Sequence, residues 1–292
     1  MSLIKIGQGP ASYNYYLLRG IIDDNVIKEA RAVANALPEQ GGLYSKSGAN
    51  RMYAYLDQIP SLVALLPQLF DDLHIVGSNY FVSKPTDKGQ ETLGEWHTGH
   101  SLYFGVRGAA MTLWIPLQDL NEDTGGRLKM YNGRYISQMD DLLKCHVQDK
   151  GNSISNQHSI LNFLNHELDE GCSVENMRAG DALVFDEMLP HQAERCLINR
   201  EVLAVRLVLG DYALDRPLIE KVLERYKTVP GEISYAAEYL ENLLKYGEYK
   251  LPGTPERAAQ EAATAEGMPE QNVSTQRSLW QRAKGKLTKQ GR

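Results

Sequence analysis

Between Ile75 and Tyr212 the chain is a series of short β-branched and aromatic runs separated by turn chemistry, and few folds suit that pattern. Ile75–Val82, Ala110–Leu117, Arg127–Tyr131, Ala182–Phe185 and Val202–Tyr212 each have the length and composition of a strand. Asn121-Glu-Asp-Thr-Gly-Gly126 and Gly180-Asp181 are turns. Many short strands joined by tight turns predict an antiparallel sandwich or barrel rather than a parallel sheet. Arg127–Tyr131 is expected to pair with the strand before it. The Gly125-Gly126 pair is a turn and not a phosphate cradle, because no Lys-Ser/Thr follows it.

Helices flank this β region. After a short strand at Tyr15–Leu18 and a turn at Gly20, Val26, Ile27, Ala30, Val33, Ala34 and Leu37 recur at helical spacing. Asp23 or Asp24 suits the cap and Pro38 the stop. Residues 60–73 predict a second short helix limited by Pro67. Pro217 suits a first helical position, and a further helix is expected near 233–246. The expected division is a strand/helix cover over 1–74, a β core over 75–215 with an insertion at 134–176, helices over 216–252, and a disordered tail over 253–292.

Bulk properties remove several classes. A net charge of −6 is wrong for non-specific nucleic-acid binding, which needs clustered Lys and Arg. Three cysteines without CxxC spacing indicate neither a disulfide framework nor a zinc site. No apolar run is long enough for a membrane span. The N-terminus has no basic region followed by an apolar stretch, so no signal peptide is expected, and the cytoplasm is the default compartment.

The chemistry centres on Trp96-His97-Thr98-Gly99-His100 and on His191 far downstream. A mononuclear non-haem iron site commonly takes two histidines and one Asp or Glu. The first His and the carboxylate stand two residues apart on one strand, and the second His comes from a distant strand. Here Gly99 holds the carboxylate's position.

Five pieces occur in order: Trp96-His97-x-Gly99, Trp114-Ile-Pro-Leu-Gln-Asp119, Glu122-Asp-Thr-Gly-Gly-Arg-Leu128, Gly180-Asp181…Phe185…His191, and Arg206-Leu-Val-Leu-Gly-Asp-Tyr212. Over roughly 75–212 the chain resembles the phytanoyl-CoA dioxygenase-like branch of the iron(II)- and 2-oxoglutarate-dependent oxygenases. The resemblance implies a mainly β fold with flanking helices, a double-stranded β-helix of jelly-roll or cupin-like form. It implies an oxidoreductase with His97 and His191 as iron ligands and Arg206 gripping the far carboxylate of 2-oxoglutarate. A guanidinium suits that task because it binds a carboxylate through two parallel hydrogen bonds. Trp114 is expected beside the same cosubstrate.

Gly99 leaves three readings open. The His-x-Gly pattern resembles the halogenating members of the superfamily, where chloride or bromide takes the carboxylate's place, and Thr112 then borders the halide. Alternatively, a hydroxylase works with two protein ligands or recruits a third, with His100 and Glu95 as the nearby candidates. The third reading is a non-catalytic ligand binder. Tyr103, Phe104, Arg127 and Arg134 are candidate substrate contacts. The expected partners are molecular oxygen and a small molecule carrying an aliphatic C–H, free or tethered to a carrier protein. His74, His146, His158 and His166 lie outside the expected strand framework and receive no role.

Overall fold

Two antiparallel sheets form the centre of the computed structural model, which describes residues 15–36, 56–83, 85, 96–99, 106–131, 161, 165–187, 189–228, 240–241, 243–244, 247–259 and 262. The strands are β1 (Tyr15–Leu18), β2 (Leu73–Ser83), β3 (Val106–Pro116), β4 (Leu128–Tyr131), β5 (Cys172–Val174), β6 (Ala182–Asp186), β7 (His191–Ala193) and β8 (Arg200–Leu214). The helices are α1 (Asp24–Ala36), α2 (Pro60–Leu69), α3 (Asn165–Glu170) and α4 (Arg216–Thr228).

The larger sheet has the order β1-β6-β3-β8-β2 and the smaller one β5-β4-β7. An antiparallel bridge between His97 and His191 lays the 96–98 segment along the free side of β7. From β2 onward the chain therefore visits the larger sheet, the 96–98 segment, the larger sheet at β3, the smaller at β4 and β5, then β6, β7 and β8 in alternation. That path is a jelly roll, the double-stranded β-helix.

Strand alternation sorts the side chains into two faces. Leu113, Ile115, Val184, Leu203, Val205 and Leu207 lie in one buried cluster with Val26, Ala30 and Val33 of α1 and Leu62, Leu66 and Leu69 of α2. These helices cover the outer face of the larger sheet. Trp114, Leu183, Phe185, Val202 and Ala204 lie in another cluster with Leu128 and Met130 of β4, between the sheets. Burying one such leucine stabilises the fold by about 2 kcal/mol. By the same alternation Thr112 and Arg206 belong to the inner face.

Local chemistry explains the boundaries of α1. Asp23 Oδ1 accepts from the backbone N–H of Asn25 at 2.9 Å and of Val26 at 3.0 Å, capping the helix start. In α2, Pro60 occupies the first turn and the helix runs on through Pro67 to Leu69.

Three expectations change. β4 does not pair back onto β3; it lies between β5 and β7. Gly125 and Gly126 both take positive φ, and Gly126 N donates to Arg195 O at 2.8 Å, so the turn hands the chain across to the other sheet. The stretch expected to be an insertion ends in β5, a strand of the smaller sheet. His74 lies within β2, stacked on Tyr212 with ring centroids 4.9 Å apart and its Nδ1 2.6 Å from Glu248 Oε2.

Part of the expected tail is attached to the body. Arg257 Nη2 donates to Asp57 Oδ2 at 2.7 Å and its guanidinium lies over Tyr249. Among the described residues, no helix is long and apolar enough to cross a membrane.

Candidate metal centre

His97 and His191 meet at the edge of the smaller sheet. Their backbones exchange both hydrogen bonds, His97 N to His191 O at 3.0 Å and His191 N to His97 O at 2.9 Å. Directly opposed residues of an antiparallel pair carry their side chains to the same face. The ring centroids stand 4.3 Å apart, with planes inclined at 56°.

His191 is buried, and its ring packs against Phe185 at 4.8 Å. Its Nδ1 lies 2.8 Å from Leu189 O. A carbonyl only accepts, so Nδ1 carries the proton. In the neutral ring this makes Nε2 the nitrogen with the lone pair, the tautomer a metal ligand needs.

Glu187 is the residue that sequence reasoning missed. It follows β6 directly, and its side chain is 1% exposed. Its backbone joins two site segments: Gly99 N donates to Glu187 O at 2.6 Å, and Glu187 N donates to Ala110 O at 3.0 Å. A Cβ placed on Gly99 would fall 1.5 Å from Glu187 Oε2 and 2.4 Å from its Cδ. The space an acidic side chain at 99 would fill is therefore taken by an acidic side chain from 187.

The two oxygens of that carboxylate differ. Oε1 accepts from Arg206 Nη1 at 2.6 Å and from the Thr112 hydroxyl. Arg206 Nη1 also donates to Thr112 Oγ1 at 2.5 Å. Thr112 and Arg206 are cross-strand partners in the β3–β8 register, which places both beside the end of β6. Oε2 is buried and has no hydrogen-bond partner among the described residues.

The halide pocket expected at Gly99 and Thr112 is thus occupied. Thr112 bonds to Glu187 and Arg206, and the room beside Gly99 holds Glu187 Oε2. Arg206 is on the expected inner face, but a protein carboxylate already engages it. Among the described residues both of its bonds leave from Nη1, so they do not commit the rest of the fork.

Trp114, expected beside the cosubstrate, lies on the same inner face as Thr112 and Arg206. It is 5% exposed within the inter-sheet cluster, with the Arg200 guanidinium 5.9 Å from its ring. Arg127 is engaged elsewhere as well. It binds Glu194 through Nε at 2.7 Å and Nη2 at 3.0 Å, and Asn176 through Nη1 at 2.7 Å. The Glu194 bond raises its already high pKa. This fork ties β4 to the end of β7. Tyr103, Phe104, Arg134, Glu95 and His100 lie outside the described residues.

Two imidazoles, one with its tautomer set, and a buried carboxylate are the donor types of a mononuclear ferrous site. Among the described residues, no three His, Cys, Asp or Glu side chains already stand at shared-metal spacing. The donor chemistry fits such an ion.

No protein-family model matches the chain, and no curated protein matches it in sequence. Solved structures similar to it include three proteins. The alpha-ketoglutarate-dependent epimerase SnoN from nogalamycin biosynthesis is 17% identical, with 68% of this chain and 79% of that one covered and a TM-score of 0.45. HygX from Streptomyces hygroscopicus, with nickel and 2-oxoglutarate bound, is 13% identical over 67% and 83%, with a TM-score of 0.45. The monooxygenase ThoJ, as its nickel complex, is 14% identical over 92% and 96%, with a TM-score of 0.44. These values are too low to transfer chemistry.

Proposed function

We propose that this protein is a non-haem iron(II)- and 2-oxoglutarate-dependent oxidoreductase acting on an aliphatic C–H of a small molecule, with oxygen transfer rather than halogenation as its outcome. The observation that carries the reading is the backbone-paired His97 and His191, whose rings share one face at 4.3 Å. Iron, when bound, would activate molecular oxygen with 2-oxoglutarate as the co-reductant, which leaves as succinate and carbon dioxide, and so supply the oxidant for the C–H bond.

The residues have separable tasks. His97 and His191 hold the metal, and Leu189 O keeps His191 in the ligating tautomer. Arg206 holds the far carboxylate of 2-oxoglutarate with the part of its fork not directed at Thr112 and Glu187. The inter-sheet cluster around Trp114 and Phe185 keeps the interior dry behind the metal. Glu187 disfavours a halide, since chloride beside Gly99 would meet a buried carboxylate. A resemblance to the phytanoyl-CoA dioxygenase-like branch, a substrate tethered to a carrier protein and a cytoplasmic location stay within this proposal.

Anaerobic addition of iron(II) and then 2-oxoglutarate to the purified protein tests the reading without a substrate. A visible absorption band that needs both additions, and that disappears in His97→Ala and in His191→Ala, is the expected result. No band and no iron uptake would overturn it. With oxygen, chloride and a library of aliphatic metabolites, mass spectrometry is expected to find products that have gained oxygen. Chlorine isotope pairs would return the reading to halogenation.

A further inference from the structure

We infer that Glu187 supplies the anionic metal ligand that Gly99 lacks, so that the carboxylate of the two-histidine site comes from the β6–β7 connection instead of from two residues after His97. This rests on the proposed function, because it names a ligand of the same metal.

Three observations meet at this residue. The first is place. A Cβ on Gly99 would lie 1.5 Å from Glu187 Oε2, so Glu187 delivers its carboxylate into the position the His-x-Gly run leaves open. Gly99 and His97 are two residues apart in an extended run and face the same side. His191 follows Glu187 by four residues, so one short connection would carry two ligands.

The second observation is the asymmetry of the carboxylate. Oε1 is held by Arg206 and Thr112, whereas Oε2 is buried without a partner among the described residues. Leaving a buried acceptor unsatisfied is costly. A cation at Oε2 would remove that cost. A metal-ligating carboxylate is commonly held in this way, with hydrogen-bond donors on one oxygen and the metal on the other.

The third is the absence of a side chain at 99. Any residue larger than glycine there would strike the Glu187 carboxylate, so the two positions are sterically linked. On this account Gly99 makes room for Glu187 instead of for a halide. The three groups do not stand at ligand spacing among the described residues; Glu187 would offer Oε2 to the metal with Oε1 held by Arg206 and Thr112.

Cobalt(II) titration, followed by its visible absorption and by calorimetry, tests the assignment without turnover. Wild type is expected to bind, and His97→Ala to lose binding. Glu187→Gln keeps an acceptor for Arg206 and Thr112 but removes the charge. It is expected to weaken cobalt binding by about a hundredfold or more, since even outer-shell partners of a metal ligand cost about 10- to 100-fold. The double variant Glu187→Ala/Gly99→Asp returns the carboxylate to the position after His97 and is expected to recover affinity to within about tenfold of wild type.

Glu187→Gln that binds as wild type does, while His97→Ala does not, would overturn the assignment and leave the two-histidine site standing. A folded double variant that fails to recover binding would overturn it too, even if Glu187→Gln proves unstable. Wild type that takes up no cobalt would remove the proposed function and this ligand together.

Discussion

Two buried carboxylates bracket β6, and they are satisfied in opposite ways. Asp181 precedes the strand. Its Oδ1 accepts from Gly20 N at 2.9 Å, and its Oδ2 accepts from Arg19 Nη1 at 2.8 Å and Arg178 N at 2.8 Å. Glu187 follows the strand. Its Oε1 is bonded to Arg206 and Thr112, and its Oε2 meets no donor among the described residues. A carboxylate whose oxygens are all saturated by the chain is structural. One that keeps a buried oxygen open among the described residues calls for a partner. Asp181 closes the turn that brings β1 and the 176–181 loop together, while Glu187 stands beside the two histidines.

The largest contrast is expected in stability. Asp181→Ala removes the acceptor of three donors and leaves the Arg178 amide without its acceptor. We expect a loss of about 3 kcal/mol in urea unfolding. Cobalt affinity of the folded fraction stays unchanged. Glu187→Gln should do the reverse, costing about 1–2 kcal/mol because Arg206 loses its counter-charge but keeps an acceptor, while metal affinity falls. If Glu187→Gln costs as much stability as Asp181→Ala and leaves metal binding intact, the two acids are equivalent braces and the contrast fails.

Acid titration sharpens the same comparison. Burial pushes the Asp181 carboxyl up, but the bonds from Arg178, Arg19 and Gly20 outweigh it and hold the group below its ordinary range. A depressed folded pKa stabilises at pH above the unfolded value, about 3.9, and that contribution is lost as pH falls through the folded value. The stability gap between wild type and Asp181→Ala should therefore be constant between about pH 5 and 7 and shrink below about pH 4. A gap that widens on acidification would show that Asp181 is not held as the anion.

How far the sequence disclosed these features depends on the range of each signal. The strands of the larger sheet and α1 were legible because period-2 and period-3.6 patterns are local: Leu203, Val205 and Leu207 alternate, and Val26, Ala30 and Val33 return at helical spacing. The pairing of β4 was not legible. A turn sequence such as 121–126 suggests a hairpin, and only contacts with Arg195 and Cys196 send it to the other sheet. The histidine pair was legible as a motif with a missing member. Glu187 was not, because a search two residues after His97 looks along one strand, and the replacement comes from the opposite side of the bridge. The signal available was Asp186-Glu187 between the apolar run Ala182–Phe185 and Leu189-Pro190, where acidic residues have no solvent-facing reason to stand. Arg127 and Trp114 drew attention as residue types, but their contacts place one in a bracing ion pair and the other in the core.

The smallest effect belongs to Thr112, and it decides what the donors on Oε1 are for. Thr112 is 1% exposed, and its hydroxyl links Arg206 to Glu187 without being required for their contact, since Arg206 Nη1 reaches Oε1 directly at 2.6 Å. Thr112→Val keeps the shape of the side chain and removes the link. Because the charge-assisted bond survives, the expected cost is about 1 kcal/mol in urea unfolding, with cobalt affinity changed by less than about tenfold. A loss of several kcal/mol would make the hydroxyl essential to the ion pair and move Glu187 toward the saturated, bracing condition of Asp181. Strong dependence of the variant's products on chloride would instead restore Thr112 as the border of a halide. A small, chloride-independent cost is the result that leaves Glu187 held on one oxygen and available on the other.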